Sequence, residues 1–295
     1  MSASRAPSPS YVAIPRGEPP CPSLLDFLDA RFPQVGRSVW RERLEQGKVT
    51  DDAGRALSAA SFCQPGGRVR YYREVAEEPH VPFEERLVFQ DEHLLVACKP
   101  HFLPVTPAGP HVRECLLYRL RERTGNHDLV PVHRLDRETA GLVMFSVRRE
   151  SRAPYGDLFR LGRIWRQYEA IAALPRDGTR TEWDLASRVV DGGLQCRMEE
   201  GVPNARTRIR LMETRGALGR FELEALTGKR HQLRLHMALI GSPIVNDWVY
   251  PSLQTTPKTG FDHPLQLLAK RLRFIDPFSR REMNFESDRK LAAWL

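Results

Sequence analysis

The sequence predicts an α+β protein with a mixed, mainly antiparallel sheet that is flanked by helices, and with a small separate domain before it. Strand-like and helix-like segments follow one another without a strict alternation, which favours this class over a parallel α/β fold. A length of 295 residues is enough for two domains. The contents of 41% hydrophobic and 28% charged residues are typical of globular proteins and exclude a collagen, a coiled-coil rod or a wholly disordered chain.

The N-terminal quarter is predicted to hold a flexible tail and a small domain. Residues 1–20 are rich in serine, proline and alanine, so we expect a tail there. Residues 21–76 contain two short helix candidates, SLLDFLDARFP and SVWRERLEQG, followed by the strand candidate GGRVRYY. Proline and glutamate around 77–82 then indicate a linker.

Residues 83–295 are predicted to form the larger domain. RLVFQDEHLLVACKP is typical of two strands joined by a tight turn at Asp91–His93. Further strand candidates, rich in β-branched residues or alternating in polarity, are GLVMFSV, YEAIAAL, RTRIRLMET and RFELEAL. RECLLYRLRERTG and RHQLRLHMALIG are helix candidates, and Gly241 is expected to end the second.

The charge of the chain favours a polyanionic partner such as nucleic acid. The formal net charge is +8 and most of the basic residues are arginines, which bind phosphate and stack on bases. No run of about 18 apolar residues predicts a membrane span, and the first residues do not resemble a secretory signal. The cysteines are widely spaced and form no C-x-x-C pair: Cys21, Cys63, Cys98, Cys115 and Cys196. We therefore expect a cytoplasmic protein with reduced thiols, without a zinc site or a disulfide framework.

The segment HRLDR, residues 133–137, places one carboxylate among basic side chains directly before a predicted strand. Nearby positive charge favours the ionised form of Asp136, and an ionised, well-positioned aspartate can act as a nucleophile. A structural ion pair at the strand entry explains the same pattern. A protein kinase loop does not, because the chain has no D-F-G segment and no glycine-rich phosphate loop.

A second cluster of polar residues follows the turn predicted at Thr227 and Gly228. The side chains of His231 and Arg234, three residues apart, are expected to share one face of the following helix. His231 and His236 are five residues apart and lack the i, i+4 spacing of a helical zinc site. No metal is therefore expected.

Five segments, in matching order between about Leu87 and Phe285, resemble signatures of the RluA-like pseudouridine synthases. HRLDRETAGLVMF is similar to that family's H-R-L-D-x-x-T-S-G-L, and TGKRHQLRLHMALIGSPIVND is similar to its G-R-x-H-Q-I-R-x-H segment. The other three are LLVACKPHFLPVTP, RQYEAIAAL and LQLLAKRLRFIDPFSRREMNF. Departures from the family pattern are Cys98 for Asn, Ala140 for Ser, Lys229 for Arg, Leu268 for His and Asp276 for His.

The resemblance implies a role for each matched position. Asp136 would be the catalytic aspartate, Arg234 its charge partner, and Tyr168 the tyrosine that packs against the target uracil. For Tyr168, an ordinary half-buried strand aromatic is the alternative. Arg134 would help to displace the target base from the RNA stack. Residues expected to bind RNA around the site are His133, Arg134, Lys229, Arg230, His231 and Gln232.

The N-terminal segment 21–76 is similar to the alpha-L RNA-binding domain that many of these synthases carry. Arg37 and Arg41 are four residues apart in a predicted helix, with Lys48 beyond, and could form a phosphate-binding stripe. A solvated helix face is the alternative. Arg206, Arg208 and Arg210 likewise alternate onto one strand face, which either meets RNA or faces water.

The function expected from the resemblance is isomerisation of uridine to pseudouridine in structured RNA, with ribosomal RNA favoured over transfer RNA. The reaction involves no net redox change, so no cofactor is expected. The alternative is a catalytically idle RNA-binding or ribosome-assembly protein on the same scaffold. We expect a monomer with RNA as its partner and no membrane association.

Overall fold

The computed structural model describes residues 4–17, 22–175, 180–254 and 260–295. It divides the chain into two compact units. The small unit comprises Met1–Pro79 and Pro107–Arg113, and the large unit comprises His80–Thr106 and Glu114–Leu295. The division after Pro79 falls within the segment interpreted as a linker, whereas the assignment of 107–113 to the small unit was not expected from the sequence.

The small unit combines two helices with short strands. Its elements are β1 (Ser4–Arg5), β2 (Ser10–Ala13), α1 (Leu24–Arg31), α2 (Arg37–Glu45), β3 (Val49–Thr50), β4 (Arg68–Tyr71) and β5 (Glu74–Val75). Helix α1 begins after Ser23, whose hydroxyl accepts a hydrogen bond from the Asp26 backbone N–H. Leu28 and Trp40 are fully buried between the two helices and the strands, so the unit has its own core.

The prediction of a flexible tail over residues 1–20 was wrong for two segments, Ser4–Arg5 and Ser10–Ala13, which are strands. β2 pairs antiparallel with β4, and Val12 lies opposite Val69. Val12 and Ile14 are buried in the core of the small unit, which gives this segment the apolar contacts that a tail lacks. The neighbouring serines and prolines conceal this short alternating pattern in the sequence. Residues 1–3 and 18–21, with Cys21, lie outside the described residues.

The large unit is built on an eleven-stranded sheet. Its strands are β6 (Arg86–Gln90), β7 (Leu94–Lys99), β8 (Val130–Pro131), β9 (Ala140–Ser146), β10 (Ile164–Ala173), β11 (Glu182–Gly192), β12 (Gln195–Glu199), β13 (Ala205–Arg215), β14 (Leu218–Ala225), β15 (Leu267–Ile275) and β16 (Glu282–Glu286). Its helices are α3 (Leu116–Thr124), α4 (Arg152–Arg160) and α5 (Gln232–Leu239).

The strand order in this sheet is β12-β11-β13-β14-β10-β15-β9-β7-β6, with β16 paired to β15 and β8 paired to β9. The β15–β9 pair is parallel, and the other strand pairs of this sheet are antiparallel. The predicted α+β class with a mixed, mainly antiparallel sheet is therefore confirmed. Six elements of the large unit were not predicted from the sequence: β8, β11, β12, β15, β16 and α4.

The burial of each strand follows from its residues. All residues of β7 (LLVACK) and β9 (AGLVMFS) are buried, so both faces of these strands are covered. β14 alternates between partly exposed and buried residues, so one of its faces meets water. Helix α5 packs on the buried side of β14, where Leu233 and Met237 contact Phe221 and Leu223 in one apolar cluster.

The parallel junction between β9 and β15 requires glycine at position 141. Gly141 has φ of 116°, and a Cβ there would lie 2.3 Å from the Ala269 carbonyl oxygen. The neighbouring pair in this register is Ala140 opposite Leu268, and both are buried. These two departures from the family pattern are therefore partners in space, and together they make the junction apolar.

None of the helices among the described residues is long and apolar enough to cross a membrane. In this part of the chain, no group of three or more His, Cys, Asp or Glu side chains could hold a metal ion. The four described cysteines, Cys63, Cys98, Cys115 and Cys196, are buried and form no disulfide.

We predict that Gly141→Ala lowers the free energy of unfolding by about 2–4 kcal/mol, because the new methyl group overlaps the β15 backbone and the positive φ is strained. Gly156→Ala is the control. Gly156 lies in α4, where an added methyl group would meet no atom within 4 Å, and alanine there should be neutral or stabilise by up to about 1 kcal/mol. Urea denaturation measures both. Equal stability of the two variants would show that the junction can widen freely.

Candidate active site

An open cleft of about 870 Å³ in the large unit brings together the two polar segments found in the sequence. Its walls are the loop between β8 and β9, the start of β10, the end of β14, and the turn that leads into α5. The loop contributes Asp136, β10 contributes Tyr168, and α5 contributes Arg234. The fold therefore places these three predicted catalytic residues around one cavity.

Asp136 and Arg234 face each other across this cleft, although they are 98 positions apart in the chain. Arg234 Nη1 lies 3.5 Å from Asp136 Oδ2. The side chain of Arg234 is 3% exposed and that of Asp136 is 30% exposed. The carboxylate is therefore open to the cleft, while the cation that stabilises its charge is held beneath it.

Asp247 is the stronger partner of Arg234 and was not among the residues predicted from the sequence. Arg234 Nε donates to Asp247 Oδ2 at 2.8 Å, and Nη2 donates to Oδ1 at 2.7 Å. The Asp247 side chain is fully buried, and its Oδ1 also accepts from the Val249 and Tyr250 N–H groups. This bidentate contact fixes the guanidinium plane, so that the remaining nitrogen, Nη1, faces Asp136. The family-like segment GSPIVND contains Asp247 and was the available signal.

His231 also lies close to Asp136, with Nε2 at 3.9 Å from Oδ2. Its Nδ1 is 3.3 Å from the Tyr250 hydroxyl. Burial holds the pKa of His231 below its ordinary value, so the imidazole is neutral at pH 7. The residue has a left-handed backbone, φ 54°, and α5 begins only at Gln232. The helix predicted for RHQLRLHMALIG included Arg230 and His231, and this part of the prediction was wrong. The left-handed backbone of His231 interrupts the helical conformation, so both residues lie in the turn that precedes α5.

Tyr168 is half-buried on β10 and lines the cleft. Its backbone lies opposite Leu223 on one side and Ala269 on the other, next to a register shift in the β10–β15 pair. Burial raises the pKa of Tyr168 above its ordinary value, so the phenol keeps its proton at neutral pH. Its position in the cleft is compatible with packing against a substrate base.

Lys99 and His101 anchor the loop that carries Asp136, and neither was singled out in the sequence. Lys99 Nζ donates to the carbonyl oxygens of Pro100, Leu103 and Arg137 at 2.7–3.0 Å. Complete burial lowers the pKa of Lys99 to about 7. His101 Nδ1 donates to the carbonyl of Glu138 at 2.7 Å. The backbone just after Asp136 is therefore tied to the β7 end of the sheet.

His133 and Gln232 were expected to bind RNA, but their polar atoms are engaged within the protein. His133 Nε2 accepts from the Met144 N–H at 3.1 Å, its ring stacks on Phe159, and burial lowers its pKa to about 3. Gln232 is buried, its amide donates to Arg206 and Thr207, and its oxygen accepts from the Thr227 hydroxyl and the Lys229 N–H. Both residues line the cleft and shape its walls, and their contact with RNA stays a prediction.

The predicted basic residues of the cleft differ in whether a carboxylate of the protein pairs with them. Arg134 and Lys229 are exposed on its lining, and no carboxylate oxygen of the described residues lies within 4 Å of either side-chain cation. Arg230 instead pairs with Asp191 at 2.6 Å. Arg134 and Lys229 thus keep their full charge for a ligand.

The alternating arginines of β13 are paired with carboxylates of neighbouring strands. Arg206 contacts Asp184 at 2.7 Å, Arg208 contacts Glu224 at 3.2 Å, and Arg210 contacts Glu182 at 2.9 Å. All three arginines are about half exposed. This face is therefore a solvated ladder of ion pairs, which favours the second of the two interpretations.

Comparison with known proteins identifies the family of this chain as one of RNA-modifying enzymes. Residues 93–239 match the model of the RNA pseudouridylate synthase family. An uncharacterized RNA pseudouridine synthase of Synechocystis is 30% identical over 234 residues, covering 77% of this chain and 79% of that protein. The chain belongs to the RNA pseudouridine synthase family of isomerases.

Two further comparisons describe its relatives. The ribosomal large subunit pseudouridine synthase D of Pseudomonas aeruginosa is 28% identical and covers 89% of this chain and 87% of that protein. Other relatives are named for transfer RNA. The structure of human RNA pseudouridylate synthase domain containing 4 has a TM-score of 0.54 at 23% identity, covering 71% of this chain and 89% of that one. The last comparison supports the fold.

We predict that Arg234→Leu lowers the free energy of unfolding by about 3–5 kcal/mol, because it leaves Asp247 buried without its cation. The double variant Arg234→Leu/Asp247→Leu should recover much of this stability, since the unpaired charge is removed too. Both variants should fail to form pseudouridine. Urea denaturation and a pseudouridine assay separate the two effects. Wild-type turnover by the stable double variant would contradict a functional role for Arg234.

Proposed function

We propose that this chain converts uridine to pseudouridine in structured RNA, with Asp136 as the catalytic aspartate. The observation that carries the proposal is the geometry of one carboxylate. Asp136 is open to the cleft and lies 3.5 Å from Arg234, a buried cation whose orientation Asp247 maintains. Such an arrangement fixes the orientation of the Asp136 carboxylate before a ligand binds.

The chemistry needs no redox partner. The bond from uracil N1 to ribose C1′ breaks, a bond from C5 to C1′ forms, the proton on C5 leaves, and N1 gains a proton. Asp136 can attack C1′ of the ribose or remove a proton from the ribose, and both routes use a single carboxylate. We propose that Tyr168 packs against the uracil and takes part in removing the C5 proton.

The uridine must leave its stack before it can reach Asp136. Extruding a base from structured RNA costs a few kcal/mol, which an enzyme offsets with contacts to the flipped nucleotide and to the gap. Arg134 is exposed two residues before Asp136 and retains its charge, so we assign it to the gap and the adjacent phosphate. Lys229, on the opposite wall, is assigned to another phosphate.

For the substrate we propose ribosomal RNA, with transfer RNA as the alternative. Support comes from the Pseudomonas relative named for the large ribosomal subunit, whose match covers 89% of this chain. A match of that extent reaches beyond the large unit, which makes up about 71% of the residues. We also propose that the protein acts as a monomer in the cytoplasm.

A catalytically idle RNA-binding protein would use the same cleft without changing its ligand. Mapping of pseudouridines across total RNA, with and without the gene, distinguishes the two. Loss of one pseudouridine on deletion, and its formation by the purified protein in an unmodified transcript, is the result expected for the enzyme. An unchanged map together with tight RNA binding would favour the idle protein.

We predict that Asp136→Asn abolishes pseudouridine formation and leaves RNA affinity within about tenfold of wild type, because the amide keeps the shape of the side chain and loses its charge. Release of tritium from RNA labelled at uracil C5 measures the reaction, and filter binding measures the affinity. Asp157→Asn, on the surface of α4, is the control and should retain activity. Turnover by Asp136→Asn at a substantial fraction of the wild-type rate would refute the assignment.

We propose that the small unit is an alpha-L-like RNA-binding domain, with a reduced set of contacts. Arg37 pairs with Asp26 at 2.7 Å and with Asp29 at 3.6 Å, and Lys48 pairs with Glu74 at 2.9 Å. Arg41 is exposed, and no carboxylate of the described residues lies within 4 Å of its guanidinium. Of the three predicted phosphate contacts, Arg41 is therefore the one whose charge is uncompensated.

We predict that Arg41→Gln reduces the slope of log affinity against log salt concentration by about 0.7–0.9, the value for one lost phosphate contact. Lys48→Gln should change the slope by much less, because the charge of Lys48 is already balanced by Glu74. Binding isotherms with an unmodified ribosomal RNA transcript at several salt concentrations provide the slopes. If neither variant changes the slope, this helix face contacts only water.

A further inference from the structure

Arg166 is a buried cation without a buried anion. It precedes Tyr168 by two positions on β10 and is 9% exposed. Its Nη2 donates to the Ala225 carbonyl at 2.8 Å, its guanidinium lies 5.6 Å from the centre of the Phe159 ring, and its Nε has no hydrogen-bond partner. Among the described residues, no carboxylate oxygen lies within 4 Å of this guanidinium.

This state is costly, because burying a charge is tolerated mainly when it is paired and hydrogen-bonded. Arg234, the other buried arginine of the cleft, shows the usual solution with two carboxylates. Arg166 has one carbonyl and one aromatic face instead. An anion that arrives with the ligand would supply the missing partner, and in RNA that anion is a phosphate.

A second cavity, of about 360 Å³, lies on the other side of Arg166. It shares part of its wall with the catalytic cleft: Gly162, Arg166, Ala225 and Leu226 line both. Its volume is within the range of roughly 300–1,000 Å³ that is usual for small-molecule sites. A polynucleotide that occupied both cavities would therefore place the group that joins two of its nucleotides next to Arg166.

The lining of the second cavity suits a nucleotide. Trp165 is half-buried there and has the Arg273 guanidinium 5.1 Å from its ring centre. Arg163 is exposed, with no carboxylate of the described residues within 4 Å. An aromatic face next to arginines binds bases by stacking and phosphates by charge. The two carboxylates of the lining are compensated within the protein, Glu224 by Arg208 at 3.2 Å and Glu282 by Arg273 at 3.8 Å.

We propose that the second cavity binds the nucleotide adjacent to the target uridine, that Arg166 binds the phosphate joining the two, and that the base stacks on Trp165. Arg163 then contacts the next phosphate at the outer rim. This inference rests on the proposed function, because it takes the catalytic cleft as the site of the uridine. It makes the enzyme read at least two consecutive nucleotides, both extruded from the RNA helix.

The test compares variants in binding to unmodified transcripts of ribosomal RNA and of transfer RNA, using the transcript in which wild type forms pseudouridine. Trp165→Ala should weaken binding about tenfold, and Trp165→Phe should restore most of it, since stacking needs an aromatic ring. Arg163→Gln should reduce the salt slope by about 0.7–0.9. Arg149→Gln is the matched control, because Arg149 is exposed beyond the end of β9 that is remote from Asp136 and lines neither cavity.

The variant Arg166→Met distinguishes a role in RNA binding from a role in stability. If Arg166 stabilised the fold, its removal would lower the melting temperature. Because its buried charge is uncompensated, we expect the melting temperature to stay within about 3 °C of wild type. RNA affinity should fall at least tenfold, and the salt slope should decrease by one contact. Unchanged affinity of Trp165→Ala and Arg163→Gln would overturn the subsite. So would an Arg166→Met variant that folds and binds RNA as wild type does.

The failure of the subsite and the failure of the proposed function give different results. If wild type forms pseudouridine and the subsite variants bind and react as it does, the second cavity is not used and the proposed function stands. If wild type binds RNA and forms no pseudouridine in either transcript, the proposed function fails, and the inference fails with it.

Discussion

The ion pair between Arg234 and Asp247 is the interaction on which the rest of the site depends. Both side chains are buried, so neither charge can be left without the other. The pair fixes the guanidinium plane, and that plane decides where Arg234 meets Asp136. The carboxylate of Asp136 is therefore held from below by a rigid group and remains open to the cleft above.

The backbone supports this geometry from the other side of the cleft. Gly141 lets β9 approach β15 closely at the point where the loop carrying Asp136 enters β9. Lys99 and His101 donate hydrogen bonds to the backbone carbonyl groups of the two residues that follow Asp136. Two distant stretches of chain are thus held in one arrangement by contacts that involve no ligand, as an active site requires before its substrate binds.

The positive charge of the protein is distributed unevenly between paired and unpaired cations. Many of its arginines are neutralised by neighbouring carboxylates, as on β13, where Arg206, Arg208 and Arg210 each have a partner. The basic residues that retain their charge include Arg134, Arg163 and Lys229 at the rims of two adjoining cavities, and Arg166 in the wall between them. A net charge of +8 thus indicates the class of partner, whereas the pairing of each cation indicates where an RNA can be bound.

The sequence by itself determined the fold class, most of the strands around the site and the family, because periodicity and short motifs are local properties of the chain. It also identified Asp136, Tyr168 and Arg234, which lie within those motifs. Only the tertiary structure decided which charges are compensated. Asp247 as the main partner of Arg234, the internal hydrogen bonds of Gln232, and the unpaired state of Arg166 all depend on strands and turns that meet from distant positions. The strand at Ser10–Ala13 was missed because the neighbouring serines and prolines conceal its short alternating pattern, and its pairing with Arg68–Tyr71 is seen only in the tertiary structure.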